Sequence, residues 1–552
     1  MASGPALFTA SRGQTLTYLL AVCPFSIAFL VFINSSVSFV VTDLIGLHSG
    51  EGDAVGTLGF ADELLALAAC PLWGVLSDRI GVRHVCTIGY AIIALALVLF
   101  VQATNVYPQL LLGRLLFSLG GSAVSTMVTA VLPTVTGKAF RNEAYRASVS
   151  SDLTITPDRL RGLQNSNSEP NARASPSARL SGFVGLFAGC GALVSLGVFL
   201  PLPARFEKVG LSPTEAIQRS YYLVAVVALI ISVVSFIGLR QLPGEESKGW
   251  SALRNCHSRR DGQPAALPYW KQLTTAMLLG FRNRSIGLGY VGGFVARASS
   301  VGISLFIPLA VNHYFRVSGL CNEHDPVHGS GLGEIKRACP RAYILASILT
   351  GVSQLVALCA APAFGFLTDK SRRYNVPLLV AAFLGFIGYI WFAQMPSPQF
   401  QGPDGNPVIF LVMALIGLSQ IGAIVCSLAV LSNGILRVSL DEDTMRKIYD
   451  DQTETEADDD QFESGEGRPL LAGSINQRLE HLSHLKGSIA GVYSLYGGAG
   501  ILLLTKLGGK LFDQISPGAP FYIMAAFNGV LLMIGILAGI LNQVAPVMEV
   551  SV

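Results

Sequence analysis

Twelve apolar stretches decide what this chain can fold into. They run at about 16–41, 57–77, 84–103, 108–133, 180–201, 220–239, 286–311, 342–367, 376–395, 407–432, 487–508 and 519–542. Each is long enough to cross roughly 30 Å of hydrocarbon as a helix. Lipid offers the backbone no hydrogen-bond partner, so a helix, which satisfies its own N–H and C=O groups, is the expected form. A membrane β-barrel needs short alternating strands, and these runs are too long and too continuous for that. Charged residues make up 13% of the 552 positions, about half the share of a soluble protein. That composition excludes a soluble enzyme, a disordered chain and a disulfide-rich secreted domain. The net charge of +3 gives no reason to expect a nucleic-acid partner. The nine cysteines show no CxxC and no Cys/His metal spacing, so neither a metal nor a cofactor is expected. The first apolar stretch exceeds the h-region of a signal peptide and follows a single basic residue, Arg12. It reads as a retained span.

Basic residues orient the spans. With the N-terminus in the cytosol, the cytosolic loops hold 27 of the 38 Lys and Arg residues and the opposite loops hold 8; Arg114, Arg297 and Lys506 lie within spans. Both termini are therefore expected in the cytosol. Three cytosolic segments interrupt the apolar pattern: 134–179, rich in Ser, Asn, Pro and Arg; 240–275; and 438–484, which holds Asp441-Glu442-Asp443 and Asp458-Asp459-Asp460. None has sustained apolar periodicity, and weakly ordered, solvated spacers are expected there. The chain thus divides into 1–239, a central linker 240–285, and 286–552.

A repeat relates the two outer parts. Pro71-Leu72-Trp73-Gly74-Val75-Leu76-Ser77-Asp78-Arg79 ends the second span, and Pro362-Ala363-Phe364-Gly365-Phe366-Leu367-Thr368-Asp369-Lys370 ends the eighth, 291 residues later. Internal duplication of this kind is a known device of transporters. At these residues the chain resembles the major facilitator superfamily, whose signature after helix 2 is Gly-x-Leu-Ala-Asp-Arg-x-Gly-x-Arg. It stands here as Gly74, Leu76, Asp78, Arg79, Gly81 and Arg83, with Ser77 replacing Ala. The second copy keeps Gly365, Leu367, Asp369 and Lys370, with Arg372 at the second Gly and Arg373 one position before the place of the final Arg. The long polar insertions look most like fungal members. The resemblance implies an all-α membrane protein of twelve transmembrane helices in two pseudo-symmetric six-helix halves. It also implies alternating access to a central site, with the signature acting as a conformational latch. Gly74 suits close helix approach, and Asp78 is placed to pair with neighbouring basic residues. A family signature in helix 4, Arg-x-x-Gln-Gly-x-Gly, survives as Arg114 and Gly120 without the Gln-Gly pair. The antiporter pattern of helix 5, Gly-Pro-x-x-Gly-Gly, is absent from the glycine-rich run Gly182–Gly191; those glycines read as packing sites.

Charges inside hydrocarbon are costly and point to transport roles. Asp62 and Glu63 lie in the second span. Successive residues point about 100° apart on a helix, so at most one of the two faces a cavity squarely. Either is a candidate proton carrier; snorkelling to the interface is the alternative. Arg297, in the seventh span, must be paired, hydrated or ligand-bound. Its candidate partners are Glu63 or Asp62, or a carboxylate or phosphate on a substrate. Arg114, Asn34, Gln354 and Gln420 complete the candidate substrate and proton pathway, and Tyr493 and Tyr496 sit among glycines of the eleventh span. Helix-packing hydrogen bonds account for such polar residues equally well.

Cys321 and Cys339 flank the loop between the seventh and eighth spans. An oxidising compartment permits a disulfide there, with free thiols as the alternative. Glu466-Gly467-Arg468-Pro469-Leu470-Leu471 fits the acidic dileucine pattern and resembles a vacuolar or lysosomal sorting signal. No Walker A sequence, catalytic metal cluster or Ser-centred nucleophile elbow is present, so ATP drive and catalysis are not expected. The expectation is a monomeric secondary transporter in the vacuolar or plasma membrane. It would move a small organic solute, with the proton as coupling ion, by export or vacuolar sequestration. Nutrient uptake, or a non-transporting sensor of the same fold, is the alternative.

Overall fold

The structure, a computed structural model, describes residues 10–46, 51–152, 176–242, 245, 248–250, 268–319, 340–371, 375–401, 405–459 and 485–548. It is helical throughout these residues, with no strand among them. Among the described residues, twelve helices are long and apolar enough to span a membrane. They are α1 (Arg12–Val37), α2 (Ala54–Ile80), α3 (Val82–Phe100), α4 (Val106–Thr136), α5 (Ser177–Lys208), α6 (Pro213–Gly238), α7 (Arg284–Val317), α8 (Ile344–Lys370), α9 (Val376–Gln394), α10 (Val408–Leu436), α11 (Lys486–Gln514) and α12 (Ala519–Ile540). Every apolar stretch read from the sequence falls on one of them. The helices α1, α5, α7 and α11 extend beyond their apolar runs because polar residues continue the backbone ladder at little cost once a helix exists.

The same physics corrects the expected loops. The helix of α4 continues to Asp152 and that of α10 continues to Asp459. Runs such as Lys138–Asp152 and Asp441–Asp459 carry no apolar face, but they contain good helix formers and inherit a nucleus from the membrane span. The linker also holds a helix, Tyr269–Arg282, with Tyr269, Trp270, Leu278 and Phe281 exposed and Gln272 and Ala276 buried.

Packing divides unequally between the two ends of the bundle. At the end carrying the repeated motif, one apolar cluster joins the first six spans to the last six. It holds Tyr18, Ile80, Val85, Met127, Val131 and Leu180 together with Leu428 of α10 and Ala490 of α11. At the opposite end the cores are separate. One contains residues of α1–α6 alone, including Phe29, Phe100 and Tyr221. Another contains residues of α7–α12 alone, including Phe306, Tyr389 and Phe521. Burying apolar surface across a boundary holds it shut, so the bundle is closed at the motif end.

Candidate functional site

Two crossings close that end, and each repeat copy supplies one. In α2, a Cβ on Gly74 would lie 2.9 Å from the Cα of Gly491 in α11. In α8, a Cβ on Gly365 would lie 2.9 Å from the Cα of Gly182 in α5 and 3.0 Å from the Ala178 carbonyl oxygen. The glycines are required because backbone meets backbone, with no side chain able to yield. One turn beyond each glycine stands the motif aspartate. Asp78 Oδ1 accepts the Gly487 N–H at 2.7 Å, and Oδ2 accepts the Ser488 N–H at 2.7 Å and its hydroxyl at 2.6 Å. These are first-turn donors of α11, which no intrahelical carbonyl can use, and a carboxylate there complements the helix dipole. Asp369 instead meets Arg179 of α5, Oδ2 to Nε at 2.5 Å.

The rest of the first motif anchors the loop after α2. Gly81 has φ +91° and starts α3, and the Glu245 carboxylate accepts the Val82 N–H at 2.9 Å. A side chain would strain this left-handed position. The Arg79 guanidinium lies 3.6 Å from the centroid of the Tyr269 ring in the linker helix, and the Gly249 N–H donates to the Arg79 carbonyl. Arg83 Nε donates to the Phe236 carbonyl at 2.6 Å. Asp78 thus takes the helix terminus, with Lys248 within electrostatic reach, and Arg79 and Arg83 anchor the loop.

Midway along the bundle the intramembrane charges gather. Arg114 of α4 donates from Nη2 to Asp62 Oδ2 of α2 at 2.5 Å and to the Asn34 amide oxygen of α1. Ser118 bonds the Asp62 carbonyl at 2.8 Å. The pair is buried, with 4% of the Arg114 side chain and 9% of Asp62 exposed. Asn34 is exposed although its amide touches buried Arg114. Glu63 turns the other way from Asp62. It is half-buried and within electrostatic reach of Arg297 in α7 as well as Arg114. Neither Glu63 nor Arg297 makes an ion pair or hydrogen bond among the described residues. Asp62 is thus removed as a partner for Arg297, because Arg114 already holds it. Across from this cluster, Gln354 of α8 donates to Gln420 of α10 at 3.2 Å, and Gln420 donates to Ser300 of α7 at 3.0 Å. The Tyr493 hydroxyl is 3.1 Å from Ser427, and the Tyr496 ring stacks on Tyr290 at 5.2 Å.

Residues 24–151 match the sequence profile of the Major Facilitator Superfamily. Two solved structures align over nearly the whole chain. The proton:xylose symporter XylE bound to 6-bromo-6-deoxy-D-glucose is 12% identical, with TM-score 0.55, over 94% of this chain and 94% of that one. The transporter FucP in the outward conformation is 12% identical, with TM-score 0.54, over 96% of this chain and 99% of that one. The chain has the major facilitator fold. No curated protein matches it in sequence.

Within the major facilitator frame, α2 and α11 are related to α8 and α5 by the pseudo-two-fold of the halves, and Ser488 falls in the place of Arg179. Sequence reading missed both. A second faint repeat marked them: Gly487-Ser488-Ile489-Ala490-Gly491 against Ala178-Arg179-Leu180-Ser181-Gly182, each ending on a motif-facing glycine. It also missed Glu245 and Tyr269, which lie in the polar linker. Lys370 is exposed. Arg373, the cysteines 321 and 339, and the sorting residues Glu466, Leu470 and Leu471 lie outside the described residues. The glycines of α5 pack as expected, Gly182 on Gly365 and Gly189 on Leu358.

Proposed function

We propose that the chain is a secondary active transporter that moves a small organic solute by alternating access. The two halves, 1–239 and 286–552, are its moving bodies. The carrying observation is the unequal closure of the bundle: a shared apolar core and two glycine crossings at one end, separate cores at the other, and a charged, partly exposed cluster between them. The closed end bears most of the basic loops, so in the orientation with both termini cytosolic this is an outward-facing arrangement. Asp78 on the α11 terminus and Asp369 on Arg179 are bonds made across the halves in this state. They favour it by their differential energy and must break for inward opening.

Glu63 is the group proposed to carry a coupling proton, supported by its half-exposed position beside two arginines. The likeness to a proton:xylose symporter supports the same coupling here. The acidic dileucine between α10 and α11 supports a vacuolar or lysosomal membrane and, with it, sequestration; symport into the cytosol is the second reading, favoured by the symporter likeness. Two measurements test the proposal. Ala490→Cys, buried in the closed end, should resist an impermeant maleimide applied from the cytosolic side and should become reactive when Asp78→Asn is added. Proteoliposomes carrying a proton gradient should show counterflow of a labelled solute from a panel of sugars, amino acids and organic acids. Binding without any counterflow would assign a sensor, and a cysteine that stays unreactive in every latch variant would refute alternating access.

A further inference from the structure

The charges of the central cluster balance only while Glu63 is ionised, and their arrangement names a substrate class. Two cations face it, Arg114 and Arg297, and a third, Lys506, stands further out. Arg114 spends Nη2 on Asp62 and Asn34, while its Nε and Nη1, both buried, donate to nothing among the described residues. Arg297 makes no contact ion pair there. Lys506 of α11 is exposed, and its ammonium lies 3.9 Å from the centroid of the Phe60 ring, one turn of α2 before Glu63. Against these stand two carboxylates, and one of them, Asp62, is already consumed by Arg114. The other groups facing Glu63 are Asp62 beside it, Arg114 from α4, Arg297 from α7 and the Cys70 thiol further along α2. Tyr493 of α11 adjoins Arg297. None of these supplies a further negative charge while the thiol and phenol keep their protons.

Arg297 is also held in place. Its stem lies against Gly497 of α11, where a Cβ would come within 2.7 Å of Arg297 Cγ. A guanidinium cannot shed its charge, and a charge in a poorly solvated space requires a counter-ion. Arg114 and Arg297 balance Asp62 and Glu63 while Glu63 is ionised, and one positive charge is left over when Glu63 is protonated.

Resting on the transport reading above, we propose that the transported solute is an anion whose carboxylate or phosphate group is bound by Arg297, with the free donors of Arg114 beside it and Lys506 at the entrance. Glu63 competes with that group for Arg297. A proton on Glu63 removes the competitor, so anion and proton load together. The uncharged sugar of the structural neighbour would leave the excess charge unanswered.

Thermal unfolding of the purified full-length chain tests this. Lactate, succinate and benzoate serve as carboxylates, inorganic phosphate and glycerol 3-phosphate as phosphates, and lactamide and xylose as uncharged controls. At least one oxyanion should raise the midpoint where both controls do not, and more at pH 5 than at pH 8. The family of probes that does so distinguishes carboxylate from phosphate. In Arg297→Gln the response should weaken about 10- to 100-fold in half-saturating concentration. Arg297→Lys should retain part of it, and Gly497→Ala, which displaces the arginine stem, should weaken it; these two keep the test decisive if Arg297→Gln fails to fold. Glu63→Gln should keep the response and lose its pH dependence. Equal stabilisation by xylose or lactamide, no response to any oxyanion, or a response unchanged in Arg297→Gln and Gly497→Ala would overturn the proposal. Labelling of Ala490→Cys separates the two readings. A chain that alternates yet ignores oxyanions refutes the substrate class alone. A chain that never alternates refutes transport.

Discussion

The two proposed latches share a backbone and differ in chemistry. In each, a motif glycine lets one half touch the other backbone to backbone, and an aspartate follows four residues later. Asp78 then receives three hydrogen bonds from the start of α11, all buried. Asp369 receives one, from Arg179, whose side chain is 35% exposed, and its Oδ1 is buried without a partner. Backbone donors cannot rotate away and are little screened by salt, whereas a long, partly solvated arginine loses entropy on pairing and is screened. The first latch should therefore dominate the closed state and the second should trim it. Two near-copies of one motif thus make unequal crossings, and the inequality arises at Ser488 and Arg179, outside the motif.

Substitutions at the two latches break or sharpen this comparison, each read as reactivity of Ala490→Cys from the motif side. The largest effect is expected from Gly74→Ala. The new methyl would press on the Gly491 backbone, and overpacking of about 1–3 kcal/mol shifts the closed state by roughly 5- to 150-fold. Gly365→Ala should act similarly through Gly182, since the crossings themselves are equivalent. Next comes Asp78→Asn, which removes the charge at the α11 terminus and sets an amide against N–H donors. Charge-assisted bonds are worth about 1.5–3 kcal/mol, so opening of at least tenfold is expected. Ser488→Ala removes one of the three donors and should cost about 1 kcal/mol, near fivefold. Asp369→Asn should be smallest, about 0.5–1 kcal/mol after allowing for the solvated arginine. A wild-type gate that loosens in about 1 M salt, where the Debye length is about 3 Å, should lose that response in Asp369→Asn and keep it in Asp78→Asn. Equal effects of the two Asp→Asn changes would show that the latches are energetically alike.

Much of the fold was legible before any coordinate. Apolar runs, the Pro71–Arg79 and Pro362–Lys370 repeat and the low charge content are local or compositional, and lipid leaves a continuous apolar run one backbone solution. The intramembrane residues Asp62, Glu63, Arg114 and Arg297 stood out for the same reason. Their partners did not. Periodicity separates Asp62 from Glu63 by direction but cannot say which neighbour lies there; α4 supplies Arg114 to one and α7 presents Arg297 toward the other. The continuation of α4 to Asp152 and α10 to Asp459 was invisible to a search for apolar faces, because those helices carry none.

The sequence by itself determined a twelve-span helical membrane protein, its duplicated plan and the residue types at the repeated motif, since each follows from what hydrocarbon tolerates or from a short motif. Tertiary structure alone decided which donors each aspartate takes, which arginine Asp62 satisfies and which end of the bundle is shut. Asp78 and Gly487 are 409 positions apart. No local rule acts over such a distance; only the packing of α2 on α11 and of α5 on α8 brings the partners together.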